Sequence, residues 1–370
     1  MKFEARSKFH IAVAAGLVSM CCLPLAIAQS SDEAVGQAEL KSREVWRETM
    51  HQINAPAEGC FHASYPSTQW EEVECAPAPG YRSVLPRPAN RNGNRGQTAG
   101  SGYDYVAQAP SGHLFTLAYG TFPTVKGVTS EKSVGVPAYG DGGILGANEY
   151  TLQINTNFYN SAACDGYTGC LAWQQYVLST NTPVSLTSNQ LTGNTEVFIE
   201  YWLINYGFDD GSNICPSGFI DGGPDEEGPG DDCVQNTKAT VVADGQIPIT
   251  DLNGLKLSGS AKSGGTDGAT ATFGGDAYTA TVKDSYTDIA SGWSQAEFNV
   301  LGNAGGSRAD FNTGSSVTVK LALTYGSTST PTCVSPSDYD GTTGETNNLT
   351  LGSCSATGGS GPYIEFTETH

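Results

Sequence analysis

Thr195-Glu-Val-Phe-Ile-Glu-Tyr-Trp-Leu-Ile-Asn-Tyr206 alternates two sets of side chains. Val197, Ile199, Tyr201 and Leu203 fall on one face of an extended chain, and Glu196, Phe198, Glu200 and Trp202 on the other. A period of two is the pattern of a strand and not of a helix. Val317, Val319, Leu321 and Leu323 repeat it against Thr318, Lys320, Ala322 and Thr324, as in a strand with one buried face. The same texture predicts strands over 114–119, 150–157, 171–178, 239–243, 278–282, 295–301 and 363–366, between clusters of Gly, Ser, Thr, Asn and Asp.

No amphipathic helix of ordinary length interrupts these strands after residue 98. The expected fold is therefore all-β, one antiparallel sandwich of jelly-roll or concanavalin-like type over residues 98–370. A short helical amino-terminal segment precedes it. Asp32 is placed to cap that helix, and Val35, Leu40, Val45, Trp46, Met50 and Ile53 recur at helical spacing over 31–53. A Cys60 to Cys75 loop follows, then Arg82-Ser-Val-Leu-Pro-Arg-Pro-Ala-Asn-Arg-Asn-Gly-Asn-Arg95, whose four arginines and scarce apolar residues suit an exposed linker. Residues 29–97 read as a separable region, either a pro-segment whose basic linker lies on the acidic body and is cut for activation, or a simple tether.

Further upstream, Met1-Lys-Phe-Glu-Ala-Arg-Ser-Lys8 leads into an apolar stretch from Ile11 to Leu25 and then Ala26-Ile-Ala28. This is the layout of a secretory signal peptide over 1–28, too short for a membrane anchor. Cys21 and Cys22 raise a lipoprotein reading, which Met20 before the first cysteine opposes. The expected location is secreted, extracellular or periplasmic. Beyond residue 28 eight cysteines remain, in four sequence-neighbour couples. In an oxidising compartment they read as disulfides Cys60–Cys75, Cys164–Cys170, Cys215–Cys233 and Cys333–Cys354. A zinc–thiolate site would want a Cys-x-x-Cys and histidines, and the chain has no such spacing. From residue 98 onward eight Lys and Arg face twenty-eight Asp and Glu. A surface that acidic repels nucleic acid and anionic membranes, so neither is an expected partner. It suits either simple solubility or tolerance of acid, since few basic groups are left to charge as pH falls.

After the linker the only histidines are His113 and the terminal His370, and Gly-x-Ser-x-Gly and His-Glu-x-x-His are absent. Imidazole-dependent nucleophiles and zinc peptidases are thereby disfavoured, leaving carboxylate chemistry. In Trp293-Ser-Gln-Ala-Glu-Phe-Asn-Val300, Phe298 and Val300 face one way and Gln295, Glu297 and Asn299 the other. An acid projecting among polar partners from a concave sheet face can activate water. Glu200, opposite an apolar face and beside Trp202, is placed similarly.

The order of short motifs resembles the eqolisin glutamic peptidases. Ala296-Glu-Phe-Asn-Val300, Gly305-Gly306, Ala309-Asp-Phe311 and the strand 315–321 are similar to that family's Ala-Glu-Trp-Ile-Val, glycine loop, Ala-Asp-Phe and closing strand. Trp173-Gln-Gln175 is similar to its Leu-Gln-Thr-Gly strand, and Phe198-Ile-Glu-Tyr-Trp202 to its Trp-Tyr-Glu-Trp strand. Tyr206-Gly207, Cys215-Pro-Ser-Gly-Phe219 and Cys233-Val-Gln-Asn236 also resemble the neprosin group. The resemblance spans roughly residues 148–325. It implies that Glu297 is the catalytic glutamate, that Gln174 (or Gln175 in its place) is the catalytic glutamine, and that Glu200 is a groove residue near the pair. Trp173, Tyr201 and Trp202 would wall the substrate groove. The implied activity is acid-range cleavage of polypeptides, with no cofactor, and on the pro-segment reading of residues 29–97 that segment would be its inhibitor. Phe298 stands where the family has tryptophan, and Gln175-Tyr176 replaces Thr-Gly.

Two other classes fit the same residues. Glu200 and Glu297 on one surface would serve a glycoside hydrolase. Aromatic strands rich in Ser, Thr, Gly and Asn would equally serve a secreted carbohydrate-binding or adhesion module. The crowded acids of Asp221-Gly-Gly-Pro-Asp-Glu-Glu-Gly-Pro-Gly-Asp-Asp232 offer Ca²⁺ oxygen ligands without EF-hand spacing, or form a solvated loop.

Overall fold

The computed structural model of the chain describes residues 25–80, 100–137, 142–185, 190–207, 215–224, 230–336 and 343–370, with side chains from residue 36 onward. The expected signal peptide as far as residue 24, with its two adjacent cysteines, and the basic stretch 81–99 lie outside these residues. Two large antiparallel sheets pack face to face as a sandwich, of ten and nine strands, with a small four-stranded sheet beside them. In the nine-stranded sheet Thr195–Tyr206 and Leu171–Ser179 are followed by Tyr150–Thr156, Gln295–Gly302 and the short Val106–Gln108. In the ten-stranded sheet Leu117–Lys126 lies between Lys256–Ser260 and Ser316–Thr324. Among the described residues no helix is long and apolar enough to cross a membrane.

The faces follow the alternation. Val197, Ile199, Tyr201 and Leu203 enter the main core between the sheets, together with Leu152, Ile154, Tyr176, Phe298 and Val300. The opposite faces are covered as well, since all twelve residues of Thr195–Tyr206 are buried. Removing such side chains from water stabilises by roughly 1.5–3 kcal/mol each. Strands that alternation did not reveal, Lys256–Ser260 and Thr266–Phe273, are rich in Gly, Ala, Ser and Thr for a packing reason. The aromatic side chains of the nine-stranded sheet reach across to glycines of its partner. A Cβ on Gly259 would overlap the Tyr176 ring, and one on Gly120 would overlap the Phe298 ring, which also packs on Phe122 at 5.0 Å. Gly120→Ala is expected to destabilise by about 1–3 kcal/mol, the usual effect of over-filling a packed core, read as a lower urea midpoint with unchanged slope.

The helix spans Leu25–Met50, starting earlier than expected, so Asp32 lies within it and not at its cap. The chain divides into two compact units, residues 1–45 and 46–370, and residues 46–80 fall in the larger one. Gly59–Ser64 pairs with Asp276–Lys283 at one end of the ten-stranded sheet. His51, which burial pushes down to about 3, contacts Ser258 Oγ at 2.7 Å and Thr272 Oγ1 at 3.1 Å. All four disulfides join the sequence-neighbour cysteines as expected. Each closes a short loop and removes freedom from the unfolded chain.

Candidate active site

Four antiparallel pairings bring one polar residue from each strand into a single row across the outer face of the nine-stranded sheet. Asn236 pairs with Glu200, Glu200 with Gln175, Gln175 with Asn155, and Asn155 with Glu297. Because paired residues share a face, the five side chains stand side by side. One aromatic pair flanks the row on one side, where Trp173 faces Trp202, and Val177 faces Phe198 on the other.

Hydrogen bonds run along the row. Asn155 Nδ2 donates to Glu297 Oε2 at 2.8 Å, and its Oδ1 accepts from Gln175 Nε2 at 2.8 Å. Gln175 Nε2 also donates to Gln153 Oε1 at 3.2 Å. Trp202 Nε1 donates to Glu200 Oε1 at 3.0 Å. Gln175, and not Gln174, therefore shares a face with the acid. Gln174 points to the other side of the strand, where its Oε1 accepts from Thr287 Oγ1 at 2.9 Å. Adjacent residues of a strand face opposite ways, so only one of the two glutamines can join the row. Tyr201 likewise sits in the inter-sheet core, stacked on Tyr286 at 6.2 Å, away from Trp173 and Trp202.

The sequence suggested an acid in an open, wet groove, and the structure corrects that expectation. Glu297, Asn155, Gln175 and Glu200 are each 0% exposed. At the Asn236 end, Asn236 Nδ2 donates to the Pro79 carbonyl at 2.9 Å, and Ala76 bridges Ala239. At the other end Ser101 seals the acid. Its N–H donates to both Glu297 carboxylate oxygens at 2.9 Å, and its Oγ lies 3.0 Å from Glu297 Oε1.

Two further carboxyls, which the sequence did not mark, gather here. Asp104 Oδ2 lies 3.0 Å from the same Ser101 Oγ. Asn299 Nδ2 donates to Asp104 Oδ1 at 2.6 Å and to Glu368 Oε2 at 3.2 Å. Burial, and then the neighbouring Asp104, push Glu297 up to about 8, against the donors Asn155 and Ser101 that favour its anion. Burial pushes Asp104 up to about 6, opposed by the Asn299 and Ser101 hydrogen bonds. Burial and Asp104 raise Glu368 as well. Burial of three clustered acids favours their protonated forms. One sequence signal was available for Glu368: Ile364, Phe366 and Glu368 alternate, which puts an acid on the buried face of Tyr363–Thr369. Ser101 and Asp104 come from a loop with no periodicity to betray them.

The expected Ca²⁺ loop falls partly on residues 225–229, outside the described set. Asp221 Oδ1 accepts from Gly223 N–H at 2.8 Å and Asp232 Oδ1 from Asn205 N–H at 3.0 Å, so each serves a local turn or strand contact. Among the described residues no three His, Cys, Asp or Glu side chains assemble as a metal-holding group.

The fold and site together define a β-sandwich with a covered carboxyl–carboxamide row on one sheet face. Compared with protein-family models, curated proteins and solved structures, the chain matches none.

Proposed function

We propose that the chain is the latent form of an exported hydrolase of the glutamic-peptidase type, with Glu297 as the water-activating base and Gln175 as the carboxamide that stabilises the oxyanion. The observation that carries this reading is the row itself, in which Gln175 and Glu297 flank the shorter Asn155. Two strand spacings separate them, about 10 Å at the backbone, and the two longer side chains rise past an asparagine one methylene shorter. The Asn155 amide now fills the space between their head groups, hydrogen-bonded to both, and has to turn aside for a water and a peptide carbonyl to enter. Once the covering segment is displaced and the carboxyl is hydrated, Glu297 returns towards its ordinary value of about 4.3 and can act as a base in the acid range. It then takes a proton from water as the oxygen attacks the carbonyl carbon. Gln175 exchanges one of its present acceptors for the substrate oxygen, and Glu297 passes its proton to the departing nitrogen. Trp173 and Trp202 supply an apolar wall. The reaction calls on no cofactor.

The two competing readings fit the geometry less well. Glu200 and Glu297 are three strand spacings apart, about 14 Å at the backbone, whereas glycosidase carboxyls lie roughly 5–9.5 Å apart. A sugar-binding face needs accessible aromatic rings, and Trp173 and Trp202 are 0% and 1% exposed. Export agrees with four disulfides, which persist in oxidising compartments.

The test is to cut the linker at its arginines, keep both parts together, and incubate the protein with denatured casein at acid and neutral pH. Pepstatin, a chelator and a reducing-sugar assay accompany it. Acid-range casein cleavage insensitive to both inhibitors is expected. Sugar release, or intact casein at every pH, contradicts the proposal.

A further inference from the structure

The sheet face that carries the row continues past it. Gln295 stands two residues before Glu297 on the same strand, hence on the same side, about 7 Å away at the backbone. Its partner across the ladder is Gln108. Gln108 Nε2 donates to the carbonyls of Ser294 at 3.0 Å and Ala109 at 3.3 Å, which turns its Oε1 to receive Gln295 Nε2 at 2.7 Å. Both amides are thereby fixed, because reversing either would set oxygen against oxygen. What remains is Gln295 Oε1, a buried acceptor with no donor, on a side chain 8% exposed. Buried polar atoms are ordinarily paired, so this one is notable.

Beside the two glutamines lies a cleft of about 670 Å³, whose walls include Gln108, Ser294, Phe158, Leu171 and Asn160. Leu171 precedes Gln175 by four residues and shares its side of the strand, and the Phe158 ring packs on Trp173 at 6.1 Å. Asn160 and Ser291 at this cleft are exposed, so it meets solvent while the row is covered. Among the described residues no Asp, Glu, Lys or Arg lines it, in a chain of net charge −20.

We propose that this cleft is the subsite for an uncharged side chain of the polypeptide substrate, about two residues from the cleaved bond, with Gln295 Oε1 receiving a backbone N–H of the same stretch. The spacing carries the assignment. An extended peptide advances about 3.3 Å per residue, so a chain whose scissile carbonyl lies between Glu297 and Gln175 reaches Gln295 two residues further on. A backbone N–H is common to nearly every residue, so Gln295 holds the chain regardless of sequence, whereas the cleft reads the side chain. Phe158 and Leu171 suit an apolar group. A lysine loses water there and meets no counter-charge. The acidic body as a whole attracts lysine, so preference for an uncharged side chain runs opposite to what net charge alone produces. The inference rests on the functional reading for the place of the cleaved bond, and its test reads binding without turnover.

The probes are two blocked pentapeptides, acetyl-Ala-Ala-Leu-Ala-Ala-amide and the same peptide with lysine at the centre, titrated at acid pH into the linker-cut Glu297→Gln protein by calorimetry. The leucine peptide is expected to bind roughly tenfold more tightly than the lysine peptide. Adding Gln295→Met should weaken both by about threefold to tenfold, the effect of one lost hydrogen bond, and leave their ratio unchanged. Gln295→Glu, whose protonated carboxyl in acid offers the same donor and acceptor, should bind like its parent. Asn160→Asp places a charge in the cleft and should narrow the leucine preference to about threefold. The proposal is overturned by a lysine peptide that binds as well as the leucine one, by binding that Gln295→Met leaves unaltered, or by no binding of either peptide. Casein cleavage that persists beside such a result removes the subsite and leaves the chemistry. Peptide binding as expected without casein cleavage does the reverse.

Discussion

Glu297→Gln in the linker-cut protein is expected to stay folded and to lose between about a hundredfold and ten-thousandfold in kcat/KM on denatured casein, the range supplied by a positioned general base. The substitution keeps the shape of the side chain, and the new Oε1 can still accept the Ser101 N–H. It loses the one thing the reaction needs, an oxygen able to take and return a proton. The Asn155 amide, which donates to Glu297 Oε2 at 2.8 Å, would meet either an amide oxygen or an amide NH₂, so some local rearrangement is expected while the strand register holds. Denaturant unfolding of the variant separates the two effects. A folded Glu297→Gln protein that digests casein within threefold of its parent removes Glu297 from the chemistry.

The second large effect distinguishes two adjacent glutamines. Gln175→Ala is expected to lower kcat by about a hundredfold to a thousandfold, the usual result of deleting one oxyanion donor. Gln174→Ala should change kcat by less than threefold, because its carbonyl is committed to Thr287 on the opposite side of the strand. Its cost should appear in stability instead, since it leaves the buried Thr287 hydroxyl without that acceptor. Kinetics and urea midpoints measured on both variants give the answer. If Gln174→Ala proves the silent enzyme and Gln175→Ala the active one, the row is not the catalytic surface.

Much of the fold was legible in the sequence because one face of each central strand of the nine-stranded sheet is largely aliphatic or aromatic. Thr195–Tyr206 and Gln295–Gly302 show their two faces by alternation alone, and the structure keeps those faces. Where the core is made by glycine and alanine receiving a ring from the other sheet, as at Gly259 beneath Tyr176, hydrophobic periodicity vanishes and the strand goes unseen. The site divides in the same way. Glu297, Gln175 and Glu200 could be picked out as residues, but which glutamine joined the acid depended on strand register, a non-local quantity that Gln174-Gln175 does not encode. The covering of the row depended on contacts still more distant in sequence, from Pro79 to Asn236 and from Ser101 to Glu297. A polar strand face was therefore read as wet, although the protein buries it.

Covalent labelling offers the most direct measurement on the central claim. An epoxide or diazo reagent that esterifies carboxyl groups, applied at acid pH to the linker-cut protein, should place one ester on Glu297, located by peptide mass mapping. Casein-cleaving activity should fall in proportion to that ester, with little labelling of the uncut chain at the same pH. Activity that disappears while Glu297 stays unmodified, or survives when Glu297 is fully esterified, contradicts the account.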